Sequence, residues 1–260
     1  MTKVVVFTPT MRAGGTDVLC ASINRQSVQP DLWIIADDFI PRRGWWKYTD
    51  IETEVFSDKT GRKRDLCRVY NIAADISQER EFDLFISLQD YMYLPEDAIE
   101  KFVLLHEKSP QNLLTGVTHI SKDPLPNRIV SRDDPYTIFK EPFTEKPRLI
   151  DWRDSRVEDL YTSEDRFVYI QPDHWEANWA AVPVSVFEQG LRWDESYDNG
   201  IAYENADFAQ QYKKKTGLEP IMDKENVSIS LPHKRYWSNE EEEIEKYSNR
   251  VKYEKEWLNG

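Results

Sequence analysis

Two uninterrupted apolar runs with a helical stretch between them constrain this chain more than anything else in it. The first is Val4-Val5-Val6-Phe7, rich in β-branched residues and closed by Thr8-Pro9-Thr10. The second is Leu32-Trp33-Ile34-Ile35-Ala36, closed by Asp37-Asp38. Runs this short and this apolar read as strands buried on both faces. Between them Gly14-Gly15 precede Thr16, a candidate N-cap, and Leu19, Cys20 and Ile23 share one helical face. Strand, helix and strand within about 35 residues make a βαβ unit, which predicts a parallel sheet with a right-handed crossover.

The pattern continues with longer spacers. Leu66, Val69, Tyr70 and Ala73 recur at helical spacing, and Phe82 to Leu88 reads as a further buried strand ending at Gln89-Asp90. Pro95-Glu96-Asp97 suits the first turn of a helix, where the free N–H groups need no proline donor and favour acids. Leu113 to Val117 is the next strand candidate, so residues 1–120 form an α/β half. Residues 121–170 are rich in proline and mixed charge and read as loops. Regular structure resumes over Ala177 to Phe187. A helix over Asn205 to Lys215 is closed by Gly217, and Val227 to Leu231 gives a last short strand. Ser238 and Glu241 have capping-box spacing, and Ile244, Tyr247, Val251 and Leu258 outline an amphipathic C-terminal helix over 236–260. The expectation is one domain, with 1–120 as one half, 121–235 as the other, and the C-terminal helix appended.

Composition narrows the class. Nine Trp, 13 Tyr and 11 Phe in 260 residues exclude a disordered chain, because that much aromatic surface gains strongly from burial. A net charge of −13 disfavours general nucleic-acid binding, since the average surface repels phosphate. One stretch departs from that average: Lys59, Arg62, Lys63, Arg64 and Arg68 lie together with a single acid, Asp65, and Pro41 to Lys47 mixes cations with Trp45-Trp46 nearby. It suits a diphosphate or a nucleic-acid acceptor, or is simply a solvated basic loop. Two cysteines, Cys20 and Cys67, make neither a disulfide framework nor a four-thiolate zinc site. No run approaches the ~20 apolar residues of a membrane span, and the N-terminal residues lack a secretory pattern, so a cytoplasmic protein is expected.

Ligands of open parallel sheets bind outside the carboxyl ends of the strands. Here three such ends carry Thr8-Pro9-Thr10, Asp37-Asp38 and Gln89-Asp90. The phrases VVVFTPTMR, the Gln26-Ser27 after the first helix, LWIIADD, FDLFISLQDYMYLPEDAIEKF and NWAAVPVSVFEQGLRWDESYDNGIAYENADFAQQYKKKTG follow one another as in family 2 glycosyltransferases, which this chain resembles over about residues 4–235. The resemblance implies a GT-A-like α/β fold, with a Rossmann-like nucleotide-binding half and a mixed, mostly parallel sheet flanked by helices. It also implies transfer of a sugar from a nucleotide-sugar donor to a hydroxyl acceptor on a glycan, a small molecule or a modified DNA base.

By that resemblance Thr8, Pro9, Asp37 and Asp38 line the nucleotide pocket, with Arg68, Asn71, Gln89 and Asp90 toward the diphosphate. The family's Asp-x-Asp metal motif stands here as Gln89-Asp90-Tyr91, so only Asp90 remains as a hard ligand for Mn²⁺ or Mg²⁺. His233, after the last strand, is the candidate second ligand. Inverting members carry an acid near the start of the late helix that takes the acceptor proton; Glu204 is the first candidate here and Asp207 the second. Asn205 between them leaves a retaining mechanism open. His174, Trp175 and Trp179 are candidates on the acceptor side, because indoles stack on sugar faces. Two other readings stand beside this one: a catalytically silent nucleotide-sugar or carbohydrate binder, and a sugar nucleotidyltransferase, for which MRAGGTD is a faint version of the Gly-rich basic loop.

Overall fold

The computed structural model describes residues 1–10, 16–38, 49–58, 65–120, 151–152, 164–200, 202–230 and 239–258. The two founding apolar runs are strands β1 (Val4–Thr10) and β2 (Leu32–Asp37), joined through helix α1 (Thr16–Asn24). They pair in parallel from Val5↔Leu32 to Thr10↔Asp37, as a βαβ unit requires. Both strands are buried along their whole length, which is why their sequences do not alternate. β1 runs three residues beyond Phe7, so its carboxyl end is Thr10 and Thr8 lies inside the strand.

β3 (Thr53–Phe56) extends the sheet in parallel beyond β2. It is half-buried along its length and escapes a hydrophobic pattern search because Glu54 interrupts it. Arg80 bridges Glu52 and Glu54 at 2.8 and 2.6 Å from the end of helix α2 (Leu66–Glu79). α2 buries Cys67, Val69, Tyr70, Ala73 and Ala74, the face its spacing announced. β4 (Leu84–Leu88) starts two residues later than expected and pairs in parallel with the other edge of β1. β5 (Met92–Tyr93) follows, then helix α3 (Ala98–Lys108), which starts after the Pro95-Glu96-Asp97 turn.

The second half completes the same sheet. β6 (Leu114–Ile120) ends the first half, and the second adds β7 (Asp151–Trp152), β8 (Phe167–Tyr169), β9 (Trp179–Pro183) and β10 (Ile221–Ser230), with helices α4 (Val184–Glu188) and α5 (Glu204–Thr216). The order is β3-β2-β1-β4-β9-β6-β10-β5, with β7 on β6 and β8 on β10. β9 is antiparallel to both of its neighbours, β4 and β6, so a strand of the second half is inserted between two of the first. The sheet is mixed, mostly parallel and flanked by helices, the α/β architecture expected.

Three expectations need correction. β7 and β8 lie within the stretch read as loops, although 121–150 and 153–163 are outside the described residues. The last strand, expected to start at Val227, starts at Ile221: a break in register between Asp223 and Val227 lets it bend and continue along β6. The C-terminal helix α6 (Asn239–Tyr253), continued by a π-helical turn at Glu254–Leu258, presents the opposite face to that expected. Ile244, Tyr247, Val251 and Leu258 are exposed, whereas Asn249 and Tyr253 are buried. Polar anchoring outweighs the apolar stripe here: Asn249, Lys252, Tyr253 and Trp257 all hydrogen-bond the body of the protein. Ser238 of the proposed capping box is outside the described residues.

One close approach fixes the sheet centre. A Cβ on Gly116 in β6 would lie 2.3 Å from the Asn226 carbonyl oxygen and 2.4 Å from the Trp179 ring, so only glycine fits there. Trp179 donates its Nε1–H to Asn226 Oδ1 at 3.1 Å and packs against Phe102, with ring centroids 4.6 Å apart.

Candidate functional site

The carboxyl ends of β1, β2 and β4 converge. Thr10 is the register partner of Asp37, and the Asp38 N–H donates to the Thr10 carbonyl at 2.9 Å. On the opposite edge of β1 the Thr10 hydroxyl donates to Asp90 Oδ2 at 2.8 Å in a buried hydrogen bond. One threonine thus ties the acidic end of β2 to the acidic end of β4. Asp37 and Asp90 are both buried, and Asp38 accepts the Ser57 hydroxyl at 2.9 Å from the residue after β3. Buried carboxylates at a strand-end crevice are costly unless they meet donors, so their convergence marks a polar site.

Beside Asp90 a second network supports the crevice floor. Gln89 donates through Nε2 to the Tyr70 hydroxyl at 3.2 Å, and Tyr70 and Ser87 share a 2.6 Å hydrogen bond. Ser87 also donates to the Ala177 carbonyl. The Gln89 N–H reaches the Asn178 carbonyl at 3.1 Å, the Asn178 amide donates to Glu176 at 2.8 Å, and Tyr91 reaches Asn178 Oδ1 at 3.4 Å. Burial pushes the Tyr70 phenol far above its ordinary range, and the nearby negative charge of Glu204 adds to this. Tyr70 therefore works as a neutral hydrogen-bonding strut.

Glu204 supplies that charge. It heads α5, is buried, and acts electrostatically on both Tyr70 and Cys67. The approach to it is unusual: Ala202 and Tyr203 both have positive φ, 64° and 69°. Two consecutive left-handed residues with β-carbons cost about 1 kcal/mol each or more, and persist only where neighbours hold them. The turn sets the point at which Glu204 begins α5.

Other candidates have partners within the protein. Thr8 lies inside β1 and accepts the Trp33 Nε1–H at 3.1 Å, and Pro9 is buried beside it. Asn71 exchanges two 2.9 Å hydrogen bonds with the Trp193 backbone, which joins α2 to the segment before α5. Arg68 points to Asp58 at 2.5 Å, with Glu195 at 3.8 Å. Asp207 is enclosed: Gln211 donates to one oxygen and Trp257 to the other, each at 2.7 Å. Burial raises its pKa from the ordinary value, and the two donors oppose this only in part.

The aromatic candidates on the acceptor side are also core. Trp175 is buried, donates to the Leu114 carbonyl at 3.0 Å and stacks on Phe208; Trp179 fills the pocket against Gly116 already described. Trp193 stacks on Phe208 at 4.0 Å and packs on Tyr70 at 4.6 Å. His174 ends a short 3-10 turn, Pro172–His174, and is half-buried. Trp45, Trp46, His233 and the basic residues 59–64 lie outside the described residues.

Sequence reasoning missed Asp198. Its carboxylate accepts the N–H groups of Cys67 and Arg68 at 2.7 and 3.1 Å and so caps α2 from a distant turn. An acceptor for the first turn that lies 130 residues away leaves no local signal. Asn178 and Glu176 were also missed as polar partners of the Gln89 strand end, although they directly precede the apolar β9.

Asp90 is an anionic oxygen donor, the chemistry that hard divalent cations take. Among the described residues no three His, Cys, Asp or Glu side chains gather into a metal site. Of the two expected ligands the described residues include Asp90, which accepts the Thr10 hydroxyl.

No protein-family model and no curated protein matches this sequence. Solved structures do match, among them the crystal structure of S. aureus TarS, a GT-A-type glycosyltransferase. That match has a TM-score of 0.52 over 89% of this chain, at 11% sequence identity. The fold is GT-A-like. The chain spans 37% of the length of TarS, and the likeness is one of fold. Among the described residues no helix is long and apolar enough to cross a membrane.

Proposed function

We propose that the protein transfers a sugar from a nucleotide-sugar donor to a hydroxyl acceptor. The observation that carries this reading is the junction at the strand ends, where Thr10 pairs with Asp37, accepts the Asp38 N–H and donates to the buried Asp90. The GT-A-like fold supports it. Asp37 and Asp38 accept hydrogen bonds from the base or ribose of the nucleoside. Asp90 faces the diphosphate; a Mn²⁺ or Mg²⁺ ion held there would neutralise charge on the departing nucleoside diphosphate. Glu204 takes the proton of the acceptor hydroxyl as its oxygen attacks the anomeric carbon and the diphosphate leaves. Burial beside Tyr70 fixes where that carboxylate stands, so it acts by position more than by unusual basicity.

A panel of nucleotide-sugars screened by thermal shift with Mn²⁺ tests the donor half, since a ligand that binds only the folded state raises the melting temperature. The donor that binds is then assayed for turnover. Asp37→Ala and Asp38→Ala should each weaken its binding by about 1–3 kcal/mol, the cost of an unpaired buried partner. Unchanged affinity in both variants removes the nucleoside assignment. Tight binding without turnover makes the protein a nucleotide-sugar binder instead.

A further inference from the structure

We propose that Asn249, on the inner face of α6, is a positioning residue for Glu204: it holds the left-handed turn from which that carboxylate is presented. The inference rests on the reading of Glu204 as the base and adds the C-terminal helix to the machinery. Asn249 is 4% exposed, and its amide nitrogen donates to the Tyr197 carbonyl at 3.1 Å and the Ala202 carbonyl at 3.0 Å. A side-chain amide carries two N–H donors, so one residue closes both ends of the segment leading into α5. Ala202 is the first of the two residues with positive φ, and Glu204 begins the helix immediately after the second.

The arrangement goes beyond anchoring a terminal helix. α6 and its π turn are already fastened by Lys252 to Asp194 and Ser196, by Trp257 to Asp207, and by Tyr253 to Gln210. Tyr253 also packs on the Tyr203 ring at 5.4 Å. Asn249 alone among these reaches the strained backbone itself. Neither Ala202 nor Tyr203 is a glycine, so nothing intrinsic favours the left-handed turn, and an external hold is needed. Within the same segment Asp198 covers the start of α2, where Cys67 is buried. A slack turn should therefore both misplace Glu204 and uncover the Cys67 thiol.

The test uses the full chain in a Cys20→Ala background, which leaves Cys67 as the single thiol, and compares Asn249→Ala with Asn249→Asp. The aspartate keeps the size of the side chain and lacks the amide donors. Both variants should retain the nucleotide-sugar KM within about twofold and lose about 10–100-fold in transfer kcat, the scale of a small misplacement of a reacting group. Both should label Cys67 with Ellman's reagent at least about tenfold faster than the parent, as local opening becomes easier. Adding Ala202→Gly to Asn249→Ala should restore part of kcat, because glycine adopts the turn unaided; loss of a mere helix anchor would not be rescued this way. Wild-type kcat or unchanged labelling in Asn249→Asp overturns the proposal. A parent chain that turns over no donor overturns the transferase reading and Glu204's role with it, while the labelling rates still report whether Asn249 holds the turn.

Discussion

Thr10 and Asp90 stand 80 residues apart in sequence and meet in a 2.8 Å hydrogen bond across the ends of β1 and β4. The parallel register that pairs Phe7 with Ser87 carries both strands forward to this contact. Thr10→Val keeps the shape of the side chain and removes its donor. Leaving a buried carboxylate short of a partner costs about 1–3 kcal/mol, so urea unfolding should show a midpoint lowered accordingly. Donor turnover should fall with it; a variant as stable and active as wild type would show that the contact does no work.

Glu204→Gln preserves size and hydrogen-bonding capacity and removes the base. Donor binding should persist, while transfer should fall by about 10²–10⁴-fold. Isothermal titration with the donor and a steady-state assay separate the two effects. If transfer survives, the reaction does not use this carboxylate, and a retaining course becomes the reading to test.

Asp207 gives a pH signature of stability. Its folded pKa is raised above the ordinary value, chiefly by burial, so the folded state holds the proton more tightly than the unfolded chain. Its contribution to stability is then fully present below the unfolded pKa and is lost as pH rises through the folded value. The stability advantage of wild type over Asp207→Asn should therefore shrink as pH is raised from about 4 toward neutrality. Denaturant titrations across that window check the sign, and an advantage that grows with pH contradicts it.

Gly116→Ala tests the packing of the sheet centre. The added methyl meets a backbone oxygen and an indole ring, neither of which is a flexible end group. Overpacking of this kind costs about 1–3 kcal/mol or more. A chemical-denaturation midpoint equal to that of wild type would mean that β6 and Trp179 shift apart freely.

The first half was legible because its signals are local. β1 and β2 are continuous apolar runs and α2 has a clean 3.6-residue period; in the second half Gly217, with a φ of 74°, closes α5 just as locally. The acidic strand ends were legible for the same reason, since Asp37 and Asp90 directly follow apolar runs. What failed depended on distant partners. Trp175 and Trp179 suit a sugar platform as isolated indoles, but their N–H groups find Leu114 and Asn226 inside the core. Asp207 looks like a catalytic acid until Trp257, 50 residues on, donates to it. The face of α6 was misread because its apolar stripe was weighed without the polar anchors that meet α5 and the turn before it.

The position of β9 decides how such a molecule can move. It pairs with β4 on one side and β6 on the other, so backbone hydrogen bonds run unbroken from one half of the sheet to the other. A hinge that parted the halves would have to tear the Leu84–Leu88 ladder from its antiparallel partner in the middle of the core. Clamshell closure is therefore not open to this fold. Any ligand of the strand ends is then admitted by the turns and side chains around them, not by a parting of the sheet.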